Sequence, residues 1–264
     1  MTHWVLYITA ATVGLLLGSF LNVVIHRGPR LWKLLDGPDR GNLAFPRSYC
    51  PSCKAPIRFL HLPPIAGFLM LRGKCADCGA RIALRYPLVE LAGAASGLVA
   101  LYLFGLTFTA LFAFVFFLFV IALGVIDFET GYLPDALTIP LVFLGVLANA
   151  FDLFNGTPGA AVIGMVAGFA AFRLVDLAFR RLRGMEGLGQ GDAKLLAALG
   201  AWFGWAVLPP IVFLAALVAL IGVGAAALQG AKIDKATPVP FGPALVTAGA
   251  LAMIAHGLRL PLFF

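Results

Sequence analysis

The stretch Gly187-Leu188-Gly189-Gln190-Gly191-Asp192-Ala193-Lys194 is a polar, glycine-rich turn that opens directly into an apolar run beginning at Leu195. Residues 195–231 contain no charged side chain, and a run of that length is about twice what one membrane-spanning helix needs. A carboxylate placed within a bilayer costs about 2.5–3.5 kcal/mol, so an acid at the edge of such a run is a candidate functional group. The stretch therefore predicts a membrane protein with Asp192 at its functional site.

The composition of the chain favours the same class of protein. Hydrophobic residues make up 61% and charged residues 12% of the sequence, whereas soluble domains carry roughly 25% charged residues. The first apolar run, residues 4–25, is long enough to span a membrane and has no basic segment before it. We therefore expect it to remain in the mature chain rather than to be cleaved as a signal peptide. The predicted fold class is an all-α polytopic membrane protein.

Uncharged runs of bilayer length predict about eight transmembrane helices. Two of the boundaries rest on helix-breaking residues, Gly105 in one case and Pro209-Pro210 in the other. The predicted spans are residues 4–25, 87–104, 107–126, 134–151, 158–177, 193–205, 208–229 and 239–258.

Basic residues determine the predicted orientation, because Lys and Arg are enriched in cytoplasmic loops. Eleven of the 19 Lys and Arg residues lie in the first loop, residues 26–86. If this loop is cytoplasmic and both termini are outside, Arg259 is the one basic residue left on the outer face. The net charge of +7 then reflects topology and contact with anionic lipids, and we do not expect nucleic-acid binding, since the loop lacks interleaved aromatic residues.

Two Cys-x-x-Cys pairs lie in that loop, formed by Cys50 with Cys53 and by Cys75 with Cys78. Each pair can present two thiolates from one tight turn, and four sulfurs complete a tetrahedral zinc site. Disulfides or a redox pair are the alternatives, and the reducing cytoplasm disfavours disulfides. Because four sulfurs leave no open position for a substrate, we predict that the zinc is structural.

Asp127 is a second acid at the end of an apolar run, directly after Ile126. In the predicted topology, Asp127 and Asp192 both lie at cytoplasmic helix ends and can therefore meet at one depth. Two neighbouring carboxylates tend to share a proton, so one is a base and the other an acid at the same pH. Such a pair can activate water against a peptide carbonyl and protonate the leaving amine. Gly189 and Gly191 permit a close approach to Asp192 because they lack a Cβ atom.

Four Gly-x-x-x-Gly patterns predict close contacts between helices, because glycine lets two helix backbones approach each other. They are formed by Gly14 and Gly18, Gly93 and Gly97, Gly164 and Gly168, and Gly200 and Gly204.

Motifs along nearly the whole chain together resemble the type IV prepilin peptidases, membrane aspartyl proteases that also methylate the new N-terminus of their product. Besides the paired cysteines and Asp127, the matching stretches are residues 18–27, 71–75, 85–91, 133–135, 189–196 and 240–243. The resemblance implies that Asp127 and Asp192 are the catalytic pair, with Gly189, Gly191 and Lys194 as the supporting loop.

The resemblance also implies the substrate, the methyl donor and the location. The substrate is expected to be a prepilin or pseudopilin of a pilus or secretion system, with a basic cytoplasmic leader that is cleaved after a glycine. S-adenosylmethionine then methylates the exposed amine, and the four cysteines imply that this chain has both activities. The location is expected to be the bacterial inner membrane, with periplasmic termini and a cytoplasmic cysteine loop.

The candidate residues for binding the methyl donor are Arg72, Gly73, Lys74 and Glu90. Glu90 has a second interpretation, as a carboxylate favoured by the dipole at a helix N-terminus. The predicted organisation is a first helix over residues 1–25, a zinc-binding, methyltransferase-associated domain over 26–86, and a peptidase domain over 87–264.

Two other classes of function fit parts of the sequence. An ion-coupled transporter also uses paired membrane acids, but it predicts polar groups along helix middles and internal repeats, neither of which is evident here. A zinc-bearing membrane adaptor without catalysis explains the cysteines but leaves the positions of Asp127 and Asp192 unexplained.

Overall fold

The computed structural model describes residues 2–36, 41–154, 156–184, 189–229 and 241–260, and these residues fold mainly into helices. The chain divides into two compact units, Met1–Leu106 and Thr107–Phe264. Asp192 and its neighbours from Gly189 onward are described, whereas Gly187, Leu188 and residues 239–240 of the last predicted span lie outside the described ranges. The helices are α1 Thr2–Leu31, α2 Ala66–Met70, α3 Arg85–Phe104, α4 Phe108–Thr130, α5 Asp135–Ala150, α6 Pro158–Arg183, α7 Gln190–Phe203, α8 Leu208–Leu228 and α9 Gly242–Gly257.

In the first unit, α1 packs closely against α3 through glycine. A Cβ atom added to Gly14 would lie 2.3 Å from the carbonyl oxygen of Gly93, and one added to Gly93 would lie 2.4 Å from that of Gly14. The Asn22 side chain donates a hydrogen bond of 3.0 Å to the carbonyl oxygen of Tyr86, at the start of α3. The predicted glycine contact is thus confirmed for this pair of helices.

In the second unit, α7 is the buried central helix, in contact with α5, α6 and α9. A Cβ atom added to Gly164 on α6 would lie 2.2 Å from the carbonyl oxygen of Gly200 on α7, which confirms a second predicted glycine contact. The fully buried Trp202 donates its indole N–H to the carbonyl oxygen of Leu141 on α5 at 2.9 Å. These contacts hold α7, and therefore Asp192, in a defined position.

Several helices are longer than the predicted spans. α1 continues to Leu31 rather than ending at residue 25, α4 to Thr130 rather than 126, and α6 to Arg183 rather than 177. The predicted ends of α1 and α4 lie just before His26 and Asp127, and that of α6 lies just after Asp176, but a helix continues into water until a residue stops it. α4 and α6 stop at glycines in the left-handed conformation, Gly131 with φ 70° and Gly184 with φ 67°.

Five of the described helices are long and apolar enough to cross a membrane: α1, α3, α4, α6 and the segment Trp205–Leu228. α5 and α9 are shorter apolar helices, and α7 has 14 residues, so the predicted total of eight spans stays a prediction. The break at Gly105, with φ 67°, separates α3 from α4, and Pro209-Pro210 lie in the first turn of α8. The predicted domain boundaries after residues 25 and 86 also stay a prediction.

Candidate active site

Asp127 lies in the last turn of α4, where its side chain is buried, with 6% of its surface exposed. The backbone N–H of Gly242, the first residue of α9, donates a hydrogen bond to this carboxylate. The contact is close, because a Cβ atom added to Gly242 would lie 2.3 Å from Oδ2 of Asp127. The N-terminus of a helix carries partial positive charge, so α9 stabilises a negative charge on Asp127.

Asp192 lies in the first turn of α7, just before the predicted span 193–205. It is partly buried, and the backbone of Gly189 hydrogen-bonds to its carboxylate. Burial and the neighbouring charge of Asp127 raise the pKa of Asp192 to about 6, although the Gly189 hydrogen bond opposes that rise. The two carboxylates therefore interact electrostatically, because a negative charge on Asp127 disfavours the ionisation of Asp192.

Leu133, in the short turn between α4 and α5, connects the surroundings of the two acids. A Cβ atom added to Gly191 would lie 2.8 Å from Cβ of Leu133, and one added to Gly242 would lie 3.3 Å from Cδ1 of the same leucine. Gly191 precedes Asp192, and Gly242 contacts Asp127. The Leu133 side chain therefore lies between the backbone next to Asp192 and the backbone that contacts Asp127. The ends of α4, α7 and α9 thus converge here, as the sequence predicted for the two acids.

The third residue of the predicted supporting loop, Lys194, forms an ion pair with Asp135 at the start of α5. The two side chains are 34% and 56% exposed. Exposed ion pairs stabilise proteins by less than about 1 kcal/mol, so the pair orients α7 against α5 without dominating the stability of the site.

The four cysteine sulfurs lie together in the first unit, all within 4.8 Å of one another. Sγ of Cys50 is 3.9 Å from that of Cys78, and Sγ of Cys53 is 4.0 Å from that of Cys75. Zinc–sulfur bonds of about 2.3 Å place tetrahedral sulfurs about 3.8 Å apart. The donor set and its spacing therefore fit a four-coordinate metal ion, and none of the four cysteines forms a disulfide.

The two cysteine pairs belong to matching backbone turns. The N–H of Cys50 donates to the carbonyl oxygen of Ala55 at 2.9 Å, and the N–H of Cys75 donates to that of Ala80 at 2.8 Å. A hydrogen bond from the backbone of Cys53 lowers the pKa of Cys50 to about 7. One of the thiols is therefore partly ionised at neutral pH, and the thiolate is the form that binds metals.

The four candidate residues for binding the methyl donor flank the short helix α2. Arg72 and Gly73 follow it in the left-handed conformation, with φ 50° and 69°, and Lys74 leads into the second cysteine pair. Glu90, 8% exposed on α3, accepts a hydrogen bond of 2.7 Å from the backbone N–H of Ile65, just before α2 begins. The Glu90 side chain thus connects the start of α2 to α3. Glu90 also lies near the N-terminus of α3.

Comparison with known proteins covers both units. Residues 12–104 match the model of the bacterial peptidase A24 N-terminal domain, and residues 114–224 match that of the type IV leader peptidase family. The chain is 42% identical to the prepilin leader peptidase/N-methyltransferase of Burkholderia pseudomallei over 260 residues, covering 92% of this chain and 84% of that protein. The chain belongs to the type IV leader peptidase family.

Other proteins of the same name are similarly close to this member of the type IV leader peptidase family. The Pseudomonas aeruginosa protein is 43% identical, with 92% of this chain and 88% of the relative covered. The Neisseria gonorrhoeae protein is 41% identical, with 94% of this chain and 90% of the relative covered. No solved structure matches the chain.

Gly242 is the residue at the acid pair that the sequence did not assign to the site. It belongs to the stretch 240–243, which supported the family resemblance, but nothing in its local sequence connects it with Asp127. The signal available was a glycine beside Pro243 at the start of an apolar run, a pattern that equally describes an ordinary helix start.

We expect Gly242→Ala to lower the rate of peptide cleavage by at least about tenfold, because the new Cβ atom would displace the Asp127 carboxylate, and small misplacements of reacting groups are costly. A leader cleavage assay on the purified variant measures the effect. Gly222→Ala is the matched control, since a Cβ atom there meets nothing within 4 Å, and it should cleave within about twofold of wild type. Equal rates for the two variants would contradict the importance of the Gly242 contact.

Proposed function

We propose that this chain is a bifunctional prepilin leader peptidase and N-methyltransferase. It cleaves the basic leader of a prepilin or pseudopilin and then methylates the new N-terminal amine. The similarity to relatives with that name, over more than nine-tenths of this chain, supports both activities. The observation that carries the proposed chemistry is the convergence of Asp127 and Asp192 at the ends of α4 and α7.

In the proposed cleavage step, Asp127 and Asp192 hold one proton between them. The ionised carboxylate takes a proton from a water molecule, and the resulting hydroxide attacks the scissile carbonyl carbon. The aspartate that is already protonated stabilises the oxyanion by hydrogen bonding. The aspartate that took the proton from water then gives it to the leaving amine as the C–N bond breaks, which leaves the pair with one proton again. Either aspartate can carry the negative charge, because each accepts a backbone N–H at the N-terminus of a helix, Asp127 from Gly242 of α9 and Asp192 from Gly189 at the start of α7.

The position of the acids suits a substrate whose cleavage site lies just before an apolar helix. Both acids lie at ends of predicted spans rather than in helix middles, so water can reach them while a substrate helix remains among apolar residues. Exposed apolar side chains surround this end of the second unit, including Phe128 at 75% exposed and Tyr132 at 51%. We propose that the basic leader remains in the cytoplasm while the apolar segment lies in the membrane.

We propose a structural zinc ion on Cys50, Cys53, Cys75 and Cys78, supported by the sulfur spacing. The zinc would hold together the two turns that carry the cysteine pairs. S-adenosylmethionine supplies the methyl group, and Arg72, Gly73, Lys74 and Glu90 are proposed to bind it beside α2. The buried carboxylate of Glu90 offers a negative charge to the sulfonium centre of that donor.

The proposed location is the bacterial inner membrane, with the cysteine loop and both acids on the cytoplasmic side and both termini periplasmic. The distribution of Lys and Arg supports this orientation. The transporter alternative receives no support from the comparisons, because the relatives are named as peptidases. An adaptor without catalysis leaves the buried acid pair unexplained.

The purified protein tests the proposal with a synthetic prepilin, with and without S-adenosylmethionine. We expect leader removal in both reactions, and a mass gain of one methyl group on the product only where the donor is present. A substrate with valine in place of the glycine before the scissile bond is the control and should remain uncut. Absence of cleavage by a folded, reconstituted protein would contradict the proposed function, and cleavage without methylation would contradict its second half.

A further inference from the structure

A cavity of about 820 Å³ opens at the end of the second unit opposite the acid pair. The ends of α5, α7 and α9 and the start of α6 form its walls. Ten residues of α7 separate Asp192 from Trp202 in the wall, a distance of about 15 Å along a helix. The volume lies within the range of about 300–1,000 Å³ that is usual for small-ligand sites. Neither the acid pair nor the cysteine cluster uses this cavity.

Arg259 is the cation of the cavity and also the one basic residue that the positive-inside pattern leaves on the outer face. It follows α9 in the left-handed conformation, with φ 54°. Its N–H donates to the carbonyl oxygen of His256, and the N–H of Leu260 donates to that of Ala255, both at 3.0 Å. Glycine is the usual residue at this position of a helix end, because the left-handed conformation disfavours residues with a side chain. This chain has an arginine there.

Among the described residues, no carboxylate forms an ion pair with Arg259. Asp152 lies in the turn between α5 and α6, at this end of the second unit, but it does not line the cavity. The exposed guanidinium of Arg259 is therefore available to an anion, and guanidinium forks bind phosphate through paired hydrogen bonds.

Aromatic residues also line the cavity. Phe154, Trp202, Phe203 and Trp205 line it, with the Phe154 and Trp202 rings 5.5 Å apart. Phe154 and Trp202 are buried, whereas Trp205 is 58% exposed and Phe203 is half-buried, so Trp205 and Phe203 offer the cavity an accessible aromatic surface. The face of an accessible aromatic ring attracts cations.

Large apolar side chains are exposed beside the cavity, as expected for a surface that contacts lipid chains. Phe151 is 66% exposed at the end of α5, Ile163 is 57% exposed on α6, and Trp205 is 58% exposed before α8. A ligand in this cavity can therefore have a polar end inside it and an apolar part along the outside of the helices.

We propose that this cavity binds the head group of a phospholipid that carries both a phosphate and an ammonium group, as phosphatidylethanolamine does. Arg259 binds the phosphate, the accessible rings of Trp205 and Phe203 bind the ammonium, and the acyl chains lie along the exposed residues of α5 and α6. This site is independent of the proposed peptidase chemistry. In the predicted orientation it faces the outer leaflet.

Native mass spectrometry of the delipidated protein tests the proposal with three probes: phosphatidylethanolamine, phosphatidylglycerol with the same acyl chains, and free phosphoethanolamine. We expect one tightly bound phosphatidylethanolamine and weaker phosphatidylglycerol, because the latter lacks the ammonium. Free phosphoethanolamine should compete only weakly if the ligand is a lipid. Tight binding of the free head group would instead identify a soluble ligand, and equal affinity for the two lipids would overturn the ammonium assignment.

Arg259→Gly separates binding from folding, because glycine adopts the left-handed conformation without strain. We expect phosphatidylethanolamine affinity to fall by about tenfold or more, since hydrogen bonds to charged groups contribute at least that much. The Tm of the lipid-free variant should equal or exceed that of wild type. Arg181→Gln, which removes an exposed charge at the other end of α6, is the control and should retain affinity. Unchanged affinity in Arg259→Gly, or an equal loss in both variants, would overturn the proposal.

Discussion

Asp127→Asn and Asp192→Asn should each reduce leader cleavage by about 10²- to 10⁴-fold, the usual contribution of a positioned acid or base. Asparagine keeps the size and one acceptor oxygen of aspartate but can neither take nor give the proton. The double variant should be little worse than either single variant, because the two residues act as one unit and their effects are not additive. Single-turnover cleavage of a synthetic prepilin measures all three.

Stability measurements distinguish this prediction from simple unfolding. Each single variant removes one member of a pair of mutually repelling carboxylates, so the Tm should stay the same or rise. Asp152→Asn is the matched control, because this exposed acid lies in the turn between α5 and α6, away from the end of α4 and the start of α7. Cleavage above about a tenth of the wild-type rate in either Asp127→Asn or Asp192→Asn would refute the acid pair.

The second large effect is expected at the cysteine cluster. Wild-type protein should hold one zinc ion per chain, and Cys50→Ser or Cys75→Ser should lose it, because structural zinc contributes about 10–16 kcal/mol of apparent binding free energy that folding depends on. Metal analysis measures the ion, and limited proteolysis measures the loop. We expect residues 41–84 to be cut at least about tenfold faster in both variants and in chelated wild-type protein.

Ser52→Ala is the control for the cysteine variants, because Ser52 is exposed within the first Cys-x-x-Cys turn and offers no metal ligand. It should retain zinc and resist proteolysis as the wild-type protein does. A wild-type protein that contains no metal after purification without chelator would contradict the zinc proposal directly. Retention of zinc by both cysteine variants would show that the metal binds elsewhere.

The two glycine contacts show how far a local pattern predicts tertiary packing. The pairs containing Gly14 and Gly164 predicted close helix contacts, and both occur, because a missing side chain permits close approach whatever the partner is. The identity of the partner was not predictable, since Gly93 and Gly200 were two among several glycine pairs. Helix ends were predicted less well, because α4 and α6 end at the left-handed Gly131 and Gly184, several residues beyond the predicted spans.

The sequence by itself determined the features that depend on a short window of residues. Insertion of a helix into a membrane depends on the summed hydrophobicity of about 20 consecutive residues, and metal binding by a Cys-x-x-Cys pair depends on one tight turn. The tertiary structure alone decided that the Gly242 N–H meets Asp127 and that Arg259 and Trp202 line the same cavity. These contacts join residues distant in the chain, and their geometry follows from how whole helices pack, which no short stretch of sequence encodes.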